Sequence, residues 1–222
     1  GCLYVPIVGA IADGHSFIPQ VMEKGALVTL SEQDLGETDY PWIKVASSLQ
    51  AVKDLAEAYL KILSIPVVGI TGSVGKTSTK EMIAAVLGEK YRVLKTLGNF
   101  NNELGLPLTV FRLRDEDEIA VLEMGISDFG EMTRLAKIAR PKVSVITNIG
   151  WCHLENLRTR DGIFRAKTEM FDWLQKDGTV IVNGDDDKLC QIQEVHGKNP
   201  VFFGLNSAFP VWADQIEPMG LK

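Results

Sequence analysis

Cysteine is scarce in this chain, and none of it falls in a short motif. Cys2, Cys152 and Cys190 are scattered and odd in number. That spacing excludes a C-x-x-C metal or redox motif and argues against a disulfide framework, so reduced thiols in a cytoplasmic protein are expected. No apolar run reaches about 18 residues and no secretory leader is legible, so no membrane insertion is expected. Basic excess is missing as well: 23 Lys and Arg stand against 29 Asp and Glu, a net charge of −6. A nucleic-acid partner is therefore not expected, although a local loop can still hold phosphate. Internal repeats and low-complexity segments are absent. The chain begins "GCLYVPI", without methionine, and ends "ADQIEPMGLK", which reads as the start of another strand. Both ends read as cut, and the expectation is a fragment of a longer protein.

What is present is an alternation of strands and helices, with 45% hydrophobic residues over 222 positions. This suffices for one large domain or a small and a medium one. Residues 1–64 read as a small α/β unit: strands at "LYVPIVG", "ALVTLSE" and "WIKVAS", and a helix at "SFIPQVMEKGA" stopped by Gly25. A long amphipathic helix follows at "SLQAVKDLAEAYLKIL", with Ser47 or Ser48 as its N-cap. Residues 64–66 read as a linker, because the residue before Pro66 avoids the helical region. From there the pattern predicts strands at "VVGIT", "YRVLKT", "IAVLEMG", "VSVITNIG", "GTVIVNGDD" and "VFFG". Helices are predicted over 76–87, 102–111, "GEMTRLAKIAR" up to Pro141, 161–174 with Asp161 near the N-cap, and "KLCQIQEV". Near-continuous Val/Ile/Leu strands alternating with helices imply a mostly parallel sheet covered on both faces, with ligands at the carboxyl ends of its strands.

One junction carries chemistry. "VVGITGSVGKTSTK" runs from a buried strand through a glycine turn into a helix. The common phosphate-loop spacing wants a glycine at position 70, where Ile70 stands. Even so, Gly72 and Gly75 let the backbone bend and bring N–H groups close to a ligand. The new helix presents free N–H groups and a positive dipole end. Lys76 can reach phosphate oxygens, and Thr77 can ligate Mg²⁺. Thr71, Gly72, Ser73, Val74, Gly75, Lys76, Thr77 and Ser78 are the candidate nucleotide cradle; a plain βα turn with a surface lysine is the ordinary alternative.

Further candidates lie outside that junction. Glu123 closes "IAVLE", on the phosphate-loop side of the sheet, where a hard carboxylate suits Mg²⁺. Asn148 ends "VITN" and can orient the next loop or contact the nucleotide. His153 lies in that loop and reads, from the residues alone, as an ordinary loop histidine. His15 and His196 have no comparable placement, though His15 belongs to a "DGH" stretch. Lys167 sits beside the apolar stripe of "GIFRAKTEMFDWL", and a lysine so placed ordinarily turns its ammonium to solvent. "GNFNNELGLP", with Asn101 and Asn102, offers amides suited to phosphate or a polar substrate. A helix cap from Asn is its ordinary alternative.

At this point a family is recognisable. "TGSVGKTSTKEM" resembles the shortened phosphate loop of the Mur ligases, where glycines sit three apart. "LGNFNNELGLPLT", "LEMGISDFGEM", "VITNIGWCHLENL", "GIFRAKTEMFD" and "GCLYVPIVGAIADGHSFIPQVMEKGA" are similar to the branch that adds D-alanyl-D-alanine. The resemblance covers essentially the whole chain. It implies an ATP- and Mg²⁺-dependent ligase joining D-alanyl-D-alanine to UDP-N-acetylmuramoyl-tripeptide through an acyl phosphate. It also implies three domains, of which residues 1–64 would be part of the UDP-sugar-binding one and 65–222 a truncated ATP-binding one. Lys76, His153 and Lys167 would be catalytic, and Thr77, Glu123, His153 and a carbamylated Lys167 would hold metal. Asn148 would join the nucleotide set, and Asn101 and Asn102 the substrate set. Cys2 and Ile11 depart from the family pattern, which usually has a polar or acidic residue and often an arginine there, so altered uridine affinity is expected. The expected protein is a monomer, and the fragment by itself inactive. The competing readings are a sibling or folylpolyglutamate-type ligase, a P-loop switch and a non-catalytic scaffold. The switch would need an N-K-x-D stretch, and the nearest one, "VNGDDD", lacks the lysine.

Overall fold

A computed structural model describes residues 1–217. Its internal contacts divide the chain into two compact units, Gly1–Ala58 and the residues from Tyr59 onward. The expected class holds: a small α/β unit, then a parallel sheet flanked by helices. Among the described residues no helix is long and apolar enough to cross a membrane.

The first unit pairs β1 (Leu3–Tyr4), β2 (Val28–Ser31) and β3 (Trp42–Lys44) in parallel. α1 (Ile18–Glu23) follows a short 3₁₀ turn and stops before Gly25, whose φ of +96° suits glycine. α2 (Ser48–Leu63) starts here, and Ser47 is its cap: its Oγ accepts the Gln50 N–H at 3.2 Å. β1 is shorter than expected because Pro6 has no N–H to give a ladder; only Val8 returns, in an isolated bridge to Asp13.

The second unit runs β4 (Val67–Thr71), α3 (Lys76–Gly88), β5 (Val93–Lys95), α4 (Gly105–Val110), β6 (Ile119–Glu123), α5 (Glu131–Ala139) and β7 (Val143–Ile146). It continues through α6 (Leu154–Leu157), α7 (Arg160–Thr168), β8 (Thr179–Asn183), β9 (Val201–Gly204) and β10 (Val211–Trp212). The strand order is β10-β9-β8-β7-β4-β6-β5. The chain therefore leaves β4 for the edge at β5, returns through β6, and crosses to β7 on the other side of β4. That reversal opens a crevice at the carboxyl ends of β6, β4 and β7. Beneath it Ile70, Ala84, Val121 and Val145 form a buried cluster. Burial of each larger aliphatic side chain contributes about 2 kcal/mol, so the strand ends are firmly held.

Several boundaries move. α4 is shorter than 102–111 because Asn102 turns the chain before it. α7 starts at Arg160, capped by Thr159, whose Oγ1 accepts the Gly162 N–H at 3.0 Å; Asp161 lies inside the first turn. The helix expected over 161–174 tightens into a 3₁₀ segment, Glu169–Trp173, after the Thr168 hydroxyl bonds back to the Phe164 and Arg165 carbonyls. "KLCQIQEV" keeps only a 3₁₀ turn, Leu189–Gln191, because Asp186 Oδ1 captures the Lys188 and Leu189 N–H groups. α6 was not expected. The strand read into "ADQIEPMGLK" is absent over 213–217 and otherwise lies outside the described residues; the strand instead precedes it, as β10.

Candidate functional site

The crevice is lined by the chain that follows β4, β6 and β7. After β4 the backbone turns at Gly72, φ +151°, and again at Gly75, φ +78°, the residue that caps α3. A Cβ on Gly72 would lie 1.9 Å from Thr147 Oγ1, so the loop can pass there only as glycine. Ser73 N–H donates to Asn148 O at 3.1 Å, and Val74 N–H donates to Asn148 Oδ1 at 3.0 Å. Asn148 Nδ2 and Thr147 Oγ1 in turn donate to Val74 O, at 3.1 and 2.7 Å. The Ser73 hydroxyl accepts the Gly150 N–H at 2.8 Å and lies 3.3 Å from Cys152 Sγ. The loop after β4 is thus laced onto the loop after β7, and Asn148 is the principal tie.

Lys76 donates to Gly72 O at 3.0 Å and, more weakly, toward Ser73 O at 3.5 Å. Both are neutral carbonyls. Its cation curls over a loop that offers no counter-charge, and the first N–H groups of α3 have no helical acceptors and no side-chain cap. Such an arrangement is suited to an anion. Ser78 is exposed in that first turn.

Glu123 is 2% exposed at the end of β6. Its Oε2 accepts the Thr77 hydroxyl at 2.9 Å, and its Oε1 accepts Asn101 Nδ2 at 2.8 Å. Thr71, fully buried, donates its hydroxyl to Met124 O at 2.8 Å and fastens β4 to β6 just below. Asn102 is different: its Oδ1 accepts the Leu104 and Gly105 N–H groups, so it caps the turn into α4. Among the described residues no three His, Cys, Asp or Glu side chains converge on one point. A divalent cation here would rely on the Thr77 hydroxyl and Glu123 carboxylate, both hard oxygen donors, together with ligand oxygens.

Lys167 corrects the expectation drawn from its spacing. It is 1% exposed, within the buried stripe of α7, rather than turned to solvent. Burial pushes its pKa down to about 8; Cys152 opposes that shift, and the Lys76 charge adds a smaller push downward. Lys167 thus feels both loops. His153 is exposed and holds a left-handed backbone, φ +50° and ψ +36°, at the start of α6.

Lys80 and Thr96 were not singled out from sequence. Lys80 follows Thr77 by one helical turn, a spacing that could have flagged it; nothing marks Thr96. Asp186, which accepts the Ile149 N–H at 2.8 Å and so braces the loop after β7, sits inside "VNGDDD" without a distinguishing signal. In the first unit the "DGH" stretch has a local account. His15 Nδ1 lies 2.6 Å from Asp13 Oδ1, and His15 Nε2 accepts the Glu32 N–H at 3.0 Å. His196 holds a positive φ in the turn between Val195 and Lys198, and Ile11 is fully exposed.

Comparison with known proteins adds a family. Residues 70–219 match the Mur ligase middle domain. A UDP-N-acetylmuramoyl-tripeptide–D-alanyl-D-alanine ligase of Bacillus subtilis is 47% identical over 186 residues, 83% of this chain and 41% of its own length. A crystal structure of MurF from Acinetobacter baumannii superposes with a TM-score of 0.90 at 34% identity, covering 97% of this chain and 47% of that one. The MurF ligase of Thermotoga maritima, solved in complex with ADP, gives a TM-score of 0.85 at 38% identity over 92% of this chain and 48% of its own. The chain spans less than half the length of each of these relatives.

Proposed function

The chain belongs to the Mur ligase family, and on that premise we propose that it is the nucleotide-handling part of an ATP-dependent carbon–nitrogen ligase. The reaction proposed joins D-alanyl-D-alanine to UDP-N-acetylmuramoyl-tripeptide in cytoplasmic peptidoglycan precursor synthesis. Residues 1–64 would belong to the UDP-sugar domain and 65–222 to the ATP domain. The observation that carries the reading is the pairing of Thr77 with the buried Glu123 beneath a glycine loop whose lysine, among the described residues, donates to two backbone carbonyls.

In this reading the loop N–H groups and Lys76 hold the β- and γ-phosphates of ATP, and Asn148 keeps the loop in shape to do so. Thr77 and Glu123 hold Mg²⁺, which supplies charge neutralisation when bound. A carboxylate oxygen of the tripeptide attacks the γ-phosphorus, the bond to the bridging oxygen breaks, and ADP leaves. The D-alanyl-D-alanine amine then attacks the acyl carbon, phosphate departs, and the nitrogen gives up a proton. Asn101, already aimed at Glu123, is the better candidate of the two asparagines for the reacting end, because Asn102 is occupied as a cap. His153 and a carbamylated Lys167 are proposed for a second cation. Its lowered pKa supports that role, since CO₂ adds to the neutral amine, and the product is an anion.

The binding test is Lys76→Ala. Calorimetry is expected to show ATP–Mg²⁺ affinity weakened by about 2 kcal/mol, roughly 30-fold, with the fold intact; an unchanged affinity would sink the nucleotide reading. The reaction is tested in a protein of the relatives' full length. ADP and phosphate should form only with tripeptide and D-alanyl-D-alanine both present, and stimulation by folate and glutamate would assign a sibling activity instead. The 222-residue chain itself should bind ATP and not ligate.

A further inference from the structure

Lys80 is one of the largest fully buried side chains of the protein, at 1% exposure. An ammonium in that position is costly unless its protons and charge are met. It donates to Thr96 O at 2.7 Å and to Glu81 Oε1 at 3.0 Å, and it lies 4.0 Å from Glu123 Oε2. Glu81 is half-exposed and shared with Lys95, so water already screens it. Glu123 is different: it is 2% exposed, and Lys80 is the basic group within ion-pair distance of it among the described residues.

The geometry fixes the pair through one residue. Thr96, 1% exposed, receives Lys80 Nζ on its carbonyl and the Glu123 N–H on its hydroxyl, the latter at 3.0 Å. Lys80 and Glu123 are thus pinned to opposite ends of Thr96. Glu123 Oε2 meets Lys80 on one side and the Thr77 hydroxyl on the other. The Thr77 side faces the phosphate loop. The Lys80 side is closed by α3 and the end of β5.

From this we propose that Lys80 is a positioning residue: it holds the Glu123 carboxylate aimed toward Thr77, so that the site is ready for the cation that accompanies a nucleotide. The proposal rests on the metal–nucleotide reading of Thr77 and Glu123. Lys80 itself touches neither phosphate nor metal.

The test is calorimetric titration of the chain with ATP, in Mg²⁺ and in EDTA, for the wild type, Lys80→Met, Glu123→Gln and the double variant. Mg²⁺ should strengthen ATP binding in the wild type; if it does not, the underlying reading fails, whatever Lys80 does. With that effect present, Lys80→Met is expected to cut the Mg²⁺-dependent gain about tenfold or more while affinity in EDTA stays within about twofold. Glu123→Gln should cut it similarly, and Lys80→Met added to Glu123→Gln should change it by less than about twofold. Equal losses in Mg²⁺ and EDTA would make Lys80 merely structural. An unchanged or larger Mg²⁺ gain, or additive losses, would also overturn the proposal. Should Lys80→Met fail to fold, adding Glu123→Gln must restore folding by removing the stranded charge; failure to restore it would show that the two are not paired.

Discussion

The loops after β4 and β7 leave neighbouring parallel strands at the same end of the sheet, yet they are built differently. The first turns on glycines at positions 72 and 75, and its backbone groups do the work: they bond to Asn148, Thr147 and Gly150 or stand open at the start of α3. The second puts left-handed backbone on a side chain-bearing residue, His153 at φ +50° and ψ +36°. It also displays side chains, with Trp151 72% exposed beside an exposed His153. A loop that offers N–H groups has to be thin, which selects glycine. A loop that offers an imidazole cannot be glycine where the turn would prefer it, and so it carries strain.

The largest test of that contrast is Gly72→Ala. The new methyl would collide with Thr147 in a backbone region reserved for glycine, a cost of about 4 kcal/mol. Chemical denaturation should show that loss, with ATP binding abolished; a stable, binding variant would mean that the two loops are not interlocked.

Lys167, which feels both loops, offers a second test. Its folded pKa is about 8 against an ordinary 10.5, so between those values the unfolded chain holds a proton that the folded chain has released. Stability relative to Lys167→Met should therefore rise with pH across that window, by on the order of 3 kcal/mol, and the wild type should be at its relative worst below about pH 8. A difference that stays flat with pH would show that the amine is not desolvated as described.

The smallest effect separates strain from function. His153→Gly should raise stability by about 1 kcal/mol, seen as a melting temperature about 3 °C higher, because glycine takes the left-handed turn without penalty. In a full-length ligase the same change should remove activity. A lower melting temperature would mean that the imidazole holds the loop rather than being displayed by it.

Much of this was legible before any fold was known. The strand-to-helix rhythm, the glycine turn and the placement of Glu123 at a strand end all follow from short-range rules of periodicity and backbone freedom. Asn148 was legible only as a strand-end amide; its bond to Val74 spans 74 residues of sequence. The Glu123–Asn101 pair joins two segments whose nearness depends on β5 and β6 lying side by side. Asn102 looked equivalent to Asn101 and is a cap, because adjacent side chains on a turn point to different neighbours.

By itself the sequence determined the parallel architecture, the short glycine loop and the carboxylate that faces it, since each depends on residue type and spacing within one strand–turn–helix unit. Only tertiary structure decided that Lys167 and Lys80 lie inside. The same helical spacing can turn a lysine to water or to the core, and which occurs depends on what packs against it. Here Lys80 is drawn in by the Thr96 carbonyl and Glu123, which the sheet brings to it from 16 and 43 residues away.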